Sequence, residues 1–211
     1  MIDNGELQDC SNVEQRSSSM NQPEILFARS AAVSEQTPIF TIGHSTRSIA
    51  EFVELLRVGP VQLVVDVRTV PRSRRNPQYN EDVLASELAP YQISYQRIAA
   101  LGGLRSRSKT ISPKVNGFWD NQSFHNYADY ALSDEFAGAL HTLIELSLER
   151  RCAIMCAEAV WWRCHRRIIA DYLLVRKRTV LHLMGSDRIE PARLTSAAKV
   201  EDGKITYPIE N

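Results

Sequence analysis

Short apolar runs alternate with amphipathic segments from Pro38 onward, and this alternation limits the chain to a small set of architectures. The clearest run covers residues 61–67 and is rich in valine, which is typical of a strand buried on both faces. Strands are also predicted at 39–42, 93–98, 152–156 and 180–183, the last being the final strand. Segments between most of these strands carry apolar residues at helical spacing.

Helices are predicted at 46–57, after Asn80, from Ser133 to about Arg150, and at 164–176. Ser45 or Thr46 is the predicted N-cap of the first helix, because serine and threonine oxygens accept hydrogen bonds from free helical amides. Strand–helix alternation favours right-handed crossovers and a mostly parallel sheet of about five strands, with helices on both faces. The predicted fold class is therefore α/β.

The first 37 residues differ in composition from the rest of the chain. They hold six acidic and two basic residues, are rich in Ser, Gln and Asn, and contain one short apolar patch. Such a segment buries too little apolar surface to offset its ordering entropy, so residues 1–37 are predicted to form a disordered or loosely docked extension. Residues 38–211 then form a single domain of ordinary size.

Charge and apolar content exclude several classes of protein. Lys plus Arg and Asp plus Glu each number 25, so binding of nucleic acid through bulk positive charge is not expected. No apolar run is long enough to span a membrane, and the N-terminal residues lack the pattern of a signal peptide. Four cysteines in 211 residues do not make a disulfide framework. We therefore expect a cytoplasmic protein with no membrane partner.

The charges are nevertheless unevenly distributed. Residues 68–109 hold eight basic and three acidic residues, and residues 150–178 hold eight and two. Ligands of parallel α/β sheets bind beyond the carboxyl ends of the strands, and three segments rich in reactive side chains follow predicted strands: 43–46, 66–77 and 156–167. We expect them to meet in one site for an anionic ligand; the alternative interpretation is two solvated basic surfaces.

The first two segments supply an imidazole and a carboxylate. His44 is a candidate acid or base, and Ser45 is a candidate ligand contact. Asp66 is a candidate proton-exchanging or orienting group. Asp66 and Arg68 are two residues apart and therefore share a face of the strand, so Arg68 or Arg166 could pair with the carboxylate.

The loop at 71–77 has a proline at each end and contains three arginines. Guanidinium groups match phosphate or carboxylate oxygens with two hydrogen bonds each, so Arg75, together with Arg68, is a candidate for binding the anion. Ser73 is a further candidate contact. A disordered basic loop is the alternative interpretation.

The third segment, 156–167, holds the most candidate reactive side chains. If the last helix begins near Cys164, its free amides and the neighbouring positive charges lower the pKa of that thiol, which makes Cys164 a candidate nucleophile. His165 is a candidate acid or base, and Glu158 is either a general base or a structural partner of an arginine. Cys156 is either a second reactive thiol or a buried apolar residue.

The rim of this segment carries further candidate ligand contacts. Arg163 and Arg166 are candidates for binding the anion. Trp162, with Trp161 beside it, could stack on a base or sugar, cover a helix, or form a dimer contact. Trp119, with aromatic residues around it, is predicted to anchor the long loop at 102–123 onto the sheet.

Known cysteine arrangements do not match. Six residues separate Cys156 from Arg163, whereas the oxyanion cradle of phosphatases and sulfurtransferases has five. The spacing of Cys156, Cys164 and His165 fits none of the usual zinc patterns, so no metal site is predicted. No glycine-rich phosphate loop is present either, and the sequence identifies no cofactor.

Four ordered motifs resemble those of the DUF488 family. They are Thr41-Ile42-Gly43-His44-Ser45-Thr46, the segment 66–77, Leu101-Gly102-Gly103-Leu104, and Cys156-Ala157-Glu158 followed by Arg163-Cys164-His165-Arg166. The resemblance extends from about Ile39 to Pro208 and implies a Rossmann-like three-layer α/β domain. It implies no catalytic residues, because the family name denotes an undefined activity. Trp161 and Arg167 stand where the family pattern has proline and serine, so the ligand need not be shared with relatives.

The leading hypothesis is an enzyme that binds a phosphorylated, nucleotide-like or other anionic ligand at the strand ends. It ranks first because a protein that only binds anions does not need the carboxylates. The alternatives are a thiol-dependent enzyme that uses Cys164 or Cys156, and a non-enzymatic nucleic-acid-binding module that uses the basic loop and the tryptophans. The oligomeric state is left open, with a homodimer as one arrangement.

Overall fold

Strands and helices alternate over the residues that the structure describes, 37–185 and 188–209. In this computed structural model the strands are β1 (Ile39–Gly43), β2 (Leu63–Asp66), β3 (Ser94–Arg97), β4 (Cys152–Cys156), β5 (Val180–Gly185), β6 (Arg188–Pro191), β7 (Lys199–Glu201) and β8 (Lys204–Thr206). The α-helices are α1 (Ile49–Val58), α2 (Glu81–Leu88), α3 (Gln122–Tyr130), α4 (Asp134–Glu149) and α5 (Arg166–Val175). The predicted extension, residues 1–37, lies outside the described ranges except for Thr37.

The main sheet has six strands in the order β3-β2-β4-β1-β5-β6. The first five are parallel, and β6 pairs with β5 in the antiparallel direction. Central strands of a parallel sheet are covered on both faces, which explains why β1, β2 and β4 are buried along their whole length. The predicted α/β class with a mostly parallel, Rossmann-like sheet is confirmed.

Two apolar cores cover the two faces of the sheet. On one face α1 and α2 bury residues such as Phe52 and Leu84 against β1, β2 and β4. On the other face α3, α4 and α5 pack through residues such as Tyr127, Leu140 and Ile169. The result is the three-layer sandwich that right-handed crossovers produce.

The first helix begins later than predicted. Its cap is Ser48, whose hydroxyl accepts from the Glu51 amide while the Glu51 carboxylate accepts from the Ser48 amide at 2.7 Å. This reciprocal pairing satisfies two amides at the start of α1. Ser45 instead lies in a tight turn, with φ at 50°. The predicted cap at Ser133 is confirmed, because its hydroxyl accepts from the Phe136 amide.

Four elements were not predicted, namely one helix and three short strands. α3 begins at the end of the predicted long loop, where the Asn121 side chain caps it by accepting from the Ser123 amide at 2.9 Å. The strand predicted at 180–183 is not the last, because β6 extends the sheet and β7 pairs with β8 in a separate hairpin. These late strands are short and mostly exposed, so they lack the apolar runs that mark buried strands.

No helix among the described residues combines the length and apolar character needed to cross a membrane. Trp119 is buried in the core below the loop that precedes α3, where it stacks on Phe124 at 4.9 Å between ring centroids. The predicted anchoring role of Trp119 is therefore confirmed.

Candidate functional site

The carboxyl ends of β1, β2 and β4 lie level with one another. Gly43 is the register partner of Cys156, and Asp66 is the partner of Met155. Main-chain pairing continues one residue beyond the strands on both sides of β4, through the amides of His44 and Val67. The structure therefore brings the three predicted segments together at one edge of the sheet.

Side-chain alternation divides these polar groups between the two faces. His44 and Asp66 follow the residues that face α1 and α2, whereas Cys156 follows residues that face α5. Polar groups from the two faces of the sheet come together only beyond the strand ends. There, Arg68 and Cys156 line the same cavity. Two networks result, with different chemistry.

The first network is the ion pair between Arg68 and Asp66, whose polar atoms make several hydrogen bonds within the protein. The Arg68 guanidinium donates from Nε to both Asp66 oxygens, at 2.9 and 3.0 Å, and from Nη2 to the Tyr79 carbonyl. The Tyr95 hydroxyl donates to the same carboxylate at 2.8 Å. Both charged side chains are buried, so each needs the other as a counter-charge. Asp66 and Arg68 are therefore structural partners, and Arg68 is not a free anion clamp.

His44 completes this network as a neutral imidazole. Its Nδ1 donates to the Ser45 carbonyl at 2.8 Å, which leaves Nε2 to accept from Arg68 Nη1 at 3.2 Å. The ring stacks on Tyr79 with 4.1 Å between centroids. Burial, and to a lesser extent the Arg68 charge, lowers the pKa of His44 to about 4. This histidine holds no proton to donate as an imidazolium near neutral pH.

A cavity of about 310 Å³ opens beside this network, between the ends of β2 and β4 and the start of α5. Its lining comes from four parts of the chain and comprises Arg68, Thr69, Val70, Gly103, Leu104, Ser123, Phe124, Cys156, Ala157, Glu158, Arg163, Cys164 and His165. The volume is at the small end of ligand-binding cavities.

Five of the predicted site residues line this cavity: Arg68, Glu158, Arg163, Cys164 and His165, with Cys156 beside them. The structure places the other seven elsewhere, namely His44, Ser45, Asp66, Ser73, Arg75, Trp162 and Arg166.

Local contacts explain four of these displaced positions. The Ser73 hydroxyl accepts from the Asn76 amide, which stabilises the proline-bounded loop, and Arg75 is exposed on that loop. Trp162 is 41% exposed and meets Trp161 edge to face. Arg166 is almost fully buried behind Cys164. None of these four side chains lines the cavity.

The second network joins two thiols and an imidazole, and we call Cys156, Cys164 and His165 the cysteine–histidine cluster. Their ligand atoms all lie within 4.8 Å of one another. His165 Nε2 donates to the Val67 carbonyl at 2.9 Å, because a carbonyl oxygen can only accept. Its Nδ1 therefore faces the sulfur atoms, at 3.5 Å from Cys164 Sγ and 4.0 Å from Cys156 Sγ.

Arg166 provides the positive charge beside this cluster. Its Nε donates to Cys164 Sγ at 3.3 Å, and its other groups reach the Glu158 carbonyl and the Thr41 hydroxyl. Within the described residues, none of the ion pairs includes Arg166. A buried guanidinium needs a counter-charge, and the Cys164 sulfur supplies it as a thiolate.

The two thiols have opposite pKa shifts. Burial would raise the pKa of Cys164, but the hydrogen bond from Cys156 and the charge of Arg166 outweigh it and hold that pKa well below its usual value. The hydrogen bond to Cys164, together with burial, raises the pKa of Cys156 well above its usual value. These opposite shifts favour loss of the first proton from Cys164 and retention of the proton on Cys156.

Several cavity residues were missed from the sequence, and Gly103 is the most informative. A Cβ built on Gly103 would lie 2.4 Å from His165 Nδ1 and at 2.8 and 2.9 Å from the neighbouring ring carbons. These near-equal distances place it over the face of the ring, so only glycine lets the loop cover the imidazole. The adjacent glycines at 102 and 103 were the one signal for this contact.

A family model described as "Domain of unknown function DUF488" matches residues 48–173, which is more than half of the chain. The match includes the ends of β2 and β4 and the whole cysteine–histidine cluster. The segment of β1 that carries His44 precedes it. Neither a curated protein nor a solved structure matches the chain.

Proposed function

The chain belongs to the DUF488 family, whose description assigns no function, and from its site we propose that it is an enzyme acting on a small anionic substrate. The substrate would lie in the cavity between the ends of β2 and β4. The observation that carries the proposal is that one small cavity is lined by two arginines, a carboxylate, two thiols and an imidazole.

Arg163 is the residue that would hold the anion. Arg68 is engaged by Asp66, and Arg166 is buried against Cys164, whereas Arg163 is exposed at the cavity rim. A guanidinium in that position can donate two parallel hydrogen bonds to a phosphate or carboxylate. The anion clamp predicted from several arginines is therefore reduced to Arg163.

Glu158 and the cysteine–histidine cluster would supply the chemistry. Glu158 is exposed and lines the cavity, so its carboxylate can exchange a proton with a bound substrate. His165 has a fixed ring orientation because of its hydrogen bond to Val67, and this orientation directs Nδ1 at the sulfur atoms. The cysteine–histidine cluster and Glu158 thus line the same cavity as Arg163.

Binding of simple anions tests this proposal. We would titrate the purified chain with inorganic phosphate and with AMP by calorimetry, and use native mass spectrometry to identify any anion that co-purifies. Arg163→Gln should weaken binding at least tenfold, which is the loss expected for a charge-assisted hydrogen bond. Arg75→Gln is the matched control, because Arg75 is an exposed arginine of the 71–77 loop outside the cavity. Equal losses in the two variants would contradict the proposed site.

A thiol-dependent enzyme is the second candidate. It is favoured by the contact between Arg166 Nε and Cys164 Sγ, which stabilises a thiolate in the cavity wall. Iodoacetamide should then modify Cys164 faster than Cys152, which is buried in β4 away from the cavity and is a matched control. Peptide mass spectrometry would locate the label. Labelling of Cys164 no faster than Cys152 would remove this candidate.

The nucleic-acid-binding alternative has less support. Trp161 donates from Nε1 to Glu190 and stacks on His182 at 4.5 Å between ring centroids. Only Trp162 of the pair is therefore exposed for stacking on a base. Absence of salt-dependent binding to single-stranded and double-stranded oligonucleotides would dispose of this alternative.

We also propose that the protein works in the cytoplasm. The three cysteines that the structure describes are all reduced, and two of them line the cavity. Free thiols at a functional site are best maintained in a reducing compartment.

A further inference from the structure

The cysteine–histidine cluster has the dimensions of a metal site. In a tetrahedral site with zinc–sulfur distances of about 2.3 Å and zinc–nitrogen distances of about 2.0 Å, sulfur and nitrogen ligands lie about 3.5 Å apart. The two sulfur-to-Nδ1 distances here, 3.5 and 4.0 Å, lie close to that separation. All three ligand atoms lie within 4.8 Å of one another, and all three residues line the cavity.

We propose that Cys156, Cys164 and His165 bind a divalent metal ion of the zinc class. Two thiolates and an imidazole are the ligands that zinc prefers, and oxygen-preferring ions such as magnesium are disfavoured by them. Three protein ligands leave one coordination position, which is the arrangement of catalytic rather than structural zinc sites. All three ligands line the cavity, so that position faces the cavity.

The hydrogen bonds of His165 argue for a metal rather than for a thiol–imidazole pair alone. Nδ1 has one lone pair in the neutral ring, yet two sulfur atoms lie within 4.0 Å of it. That lone pair can serve at most one sulfur, and a thiolate has no proton to donate to it, whereas a single ion between the three atoms would contact all of them. The opposite ring nitrogen donates to the Val67 carbonyl, which is the outer contact that usually orients a metal-binding histidine.

Two neighbours keep the cluster in place. Gly103 packs over the imidazole face, where a Cβ would collide with the ring. Arg166 donates to Cys164 Sγ and so orients that sulfur from behind. The loop, the strand end and the helix start therefore fix the three ligand atoms before any ion arrives, which reduces the entropic cost of binding.

The identity of the group at the open coordination position of the metal rests on the proposed function. In that proposal, a substrate anion held by Arg163 would lie beside this position. The metal site itself does not depend on that proposal. Metal binding and anion binding are therefore measured separately, so that the failure of one is distinguishable from the failure of the other.

The test uses cobalt and zinc ions alone, added under reducing conditions to the full-length, metal-stripped chain. Cys10 lies outside the described residues, so Cys10→Ser serves as the common background. Cobalt should bind one equivalent and give the intense visible and sulfur-to-cobalt charge-transfer bands of a tetrahedral thiolate site, and zinc should displace it. Loss of an outer contact to a metal ligand weakens metal binding by about 10-fold to 100-fold. Cys156→Ser, Cys164→Ser and His165→Asn should each weaken zinc binding by more than that.

Cys152→Ser is the control, because Cys152 lies on the same strand but is buried away from the cavity. It should leave the cobalt spectrum and the stoichiometry unchanged. Circular dichroism establishes that each variant is folded, and zinc should protect Cys156 and Cys164 of the parent chain from iodoacetamide. Absence of charge-transfer bands in the folded parent chain, or bands that persist in Cys156→Ser and Cys164→Ser, would overturn the metal site. Phosphate binding without cobalt bands would leave the proposed function standing and overturn only the metal.

Discussion

His44 and His165 are two imidazoles near neighbouring strand ends, but their surroundings give them different properties. His44 is enclosed by Tyr79 and Arg68, and both of its ring nitrogens have partners within the protein. His165 has one nitrogen held by a carbonyl and the other directed at sulfur atoms in a cavity wall. Burial therefore makes His44 a structural residue, and access makes His165 a candidate for chemistry.

The low pKa of His44 predicts that the protein loses stability in acid. An unfolded histidine has a pKa near 6.5, and burial lowers the folded value to about 4. Between these values the unfolded chain binds more protons, so the free energy of unfolding falls as the pH falls through this window. One such histidine contributes on the order of 3 kcal/mol over the whole window. His182, whose pKa is also lowered to about 4 by burial, adds to the effect.

Replacing His44 should make the stability curve flatter. His44→Gln keeps an acceptor for Arg68 but removes the titration, so one proton fewer is taken up on unfolding between about pH 6.5 and pH 4. Urea unfolding at several pH values measures this slope. His141→Gln is the control, because His141 is exposed on α4. A slope that is the same in His44→Gln as in the parent chain would contradict a buried, neutral His44.

The start of α1 allows a direct test at the scale of one element. Ser48→Ala removes the hydroxyl that accepts from the Glu51 amide, and loss of an N-cap costs about 1 kcal/mol. Ser45→Ala should change stability by less than about 0.5 kcal/mol, since its side chain makes no hydrogen bond within the described residues. Chemical denaturation of both variants measures the difference. A larger loss for Ser45→Ala would mean that the helix begins at the cap predicted from sequence.

This cap shows where sequence patterns stop being informative. Ser45 and Ser48 are equally good capping residues by type, and periodicity alone does not choose between them. The choice is made by a distant contact, because the Ser45 amide donates to the Ala157 carbonyl and keeps residues 44–46 beside the chain leaving β4. The buried strands were predictable because their apolar runs are local, whereas β6 to β8 were not because they are exposed.

The residues of the candidate site likewise include some that were predictable from the sequence and some that were not. Residues in the segment that follows β4, such as Cys164 and Arg163, were predictable because ligands of parallel sheets bind beyond the carboxyl ends of the strands. Gly103 and Ser123 also line the cavity, but they lie far in sequence from the three predicted segments and no periodic signal marks them. The proposed metal site did not follow from sequence, because the spacing of its three ligands matches none of the usual zinc patterns. Cys156 is the last residue of β4, and Cys164 and His165 directly precede α5.

The position of the cavity follows from the order of strands in the whole molecule. β4 lies between β2 and β1, and the chains leaving β2 and β1 run to the face of α1 and α2, whereas the chain leaving β4 runs to α5 on the other face. Chains that diverge in this way leave a crevice at the strand ends. The sheet therefore has two such crevices, one on each side of β4, and the cavity occupies the one beside β2.

The crevice between β4 and β1 is closed, and Gly43 is the reason. The amides of His44 and Ser45 donate to the carbonyls of Cys156 and Ala157, which draws the two chains together beyond the strands. A Cβ on Gly43 would lie 1.9 Å from the Glu158 carbonyl oxygen, a backbone atom that cannot rotate away. Glycine at this position is therefore required for the closure, although its φ is not in the left-handed region.

Gly43→Ala should force the two chains apart and destabilise the fold by about 2 kcal/mol or more, the upper part of the range for inserting a methyl group into packed structure. Gly138→Ala is the matched control, because a Cβ there meets nothing within 4 Å in the middle of α4 and should stabilise the protein by about 0.5–1 kcal/mol. Urea unfolding gives both values, and amide exchange at Ser45 reports whether the crevice has opened. Equal stability of Gly43→Ala and the parent chain would mean that the crevice between the ends of β1 and β4 is open. Among the described residues, the strand order would then leave two open crevices rather than the one beside β2.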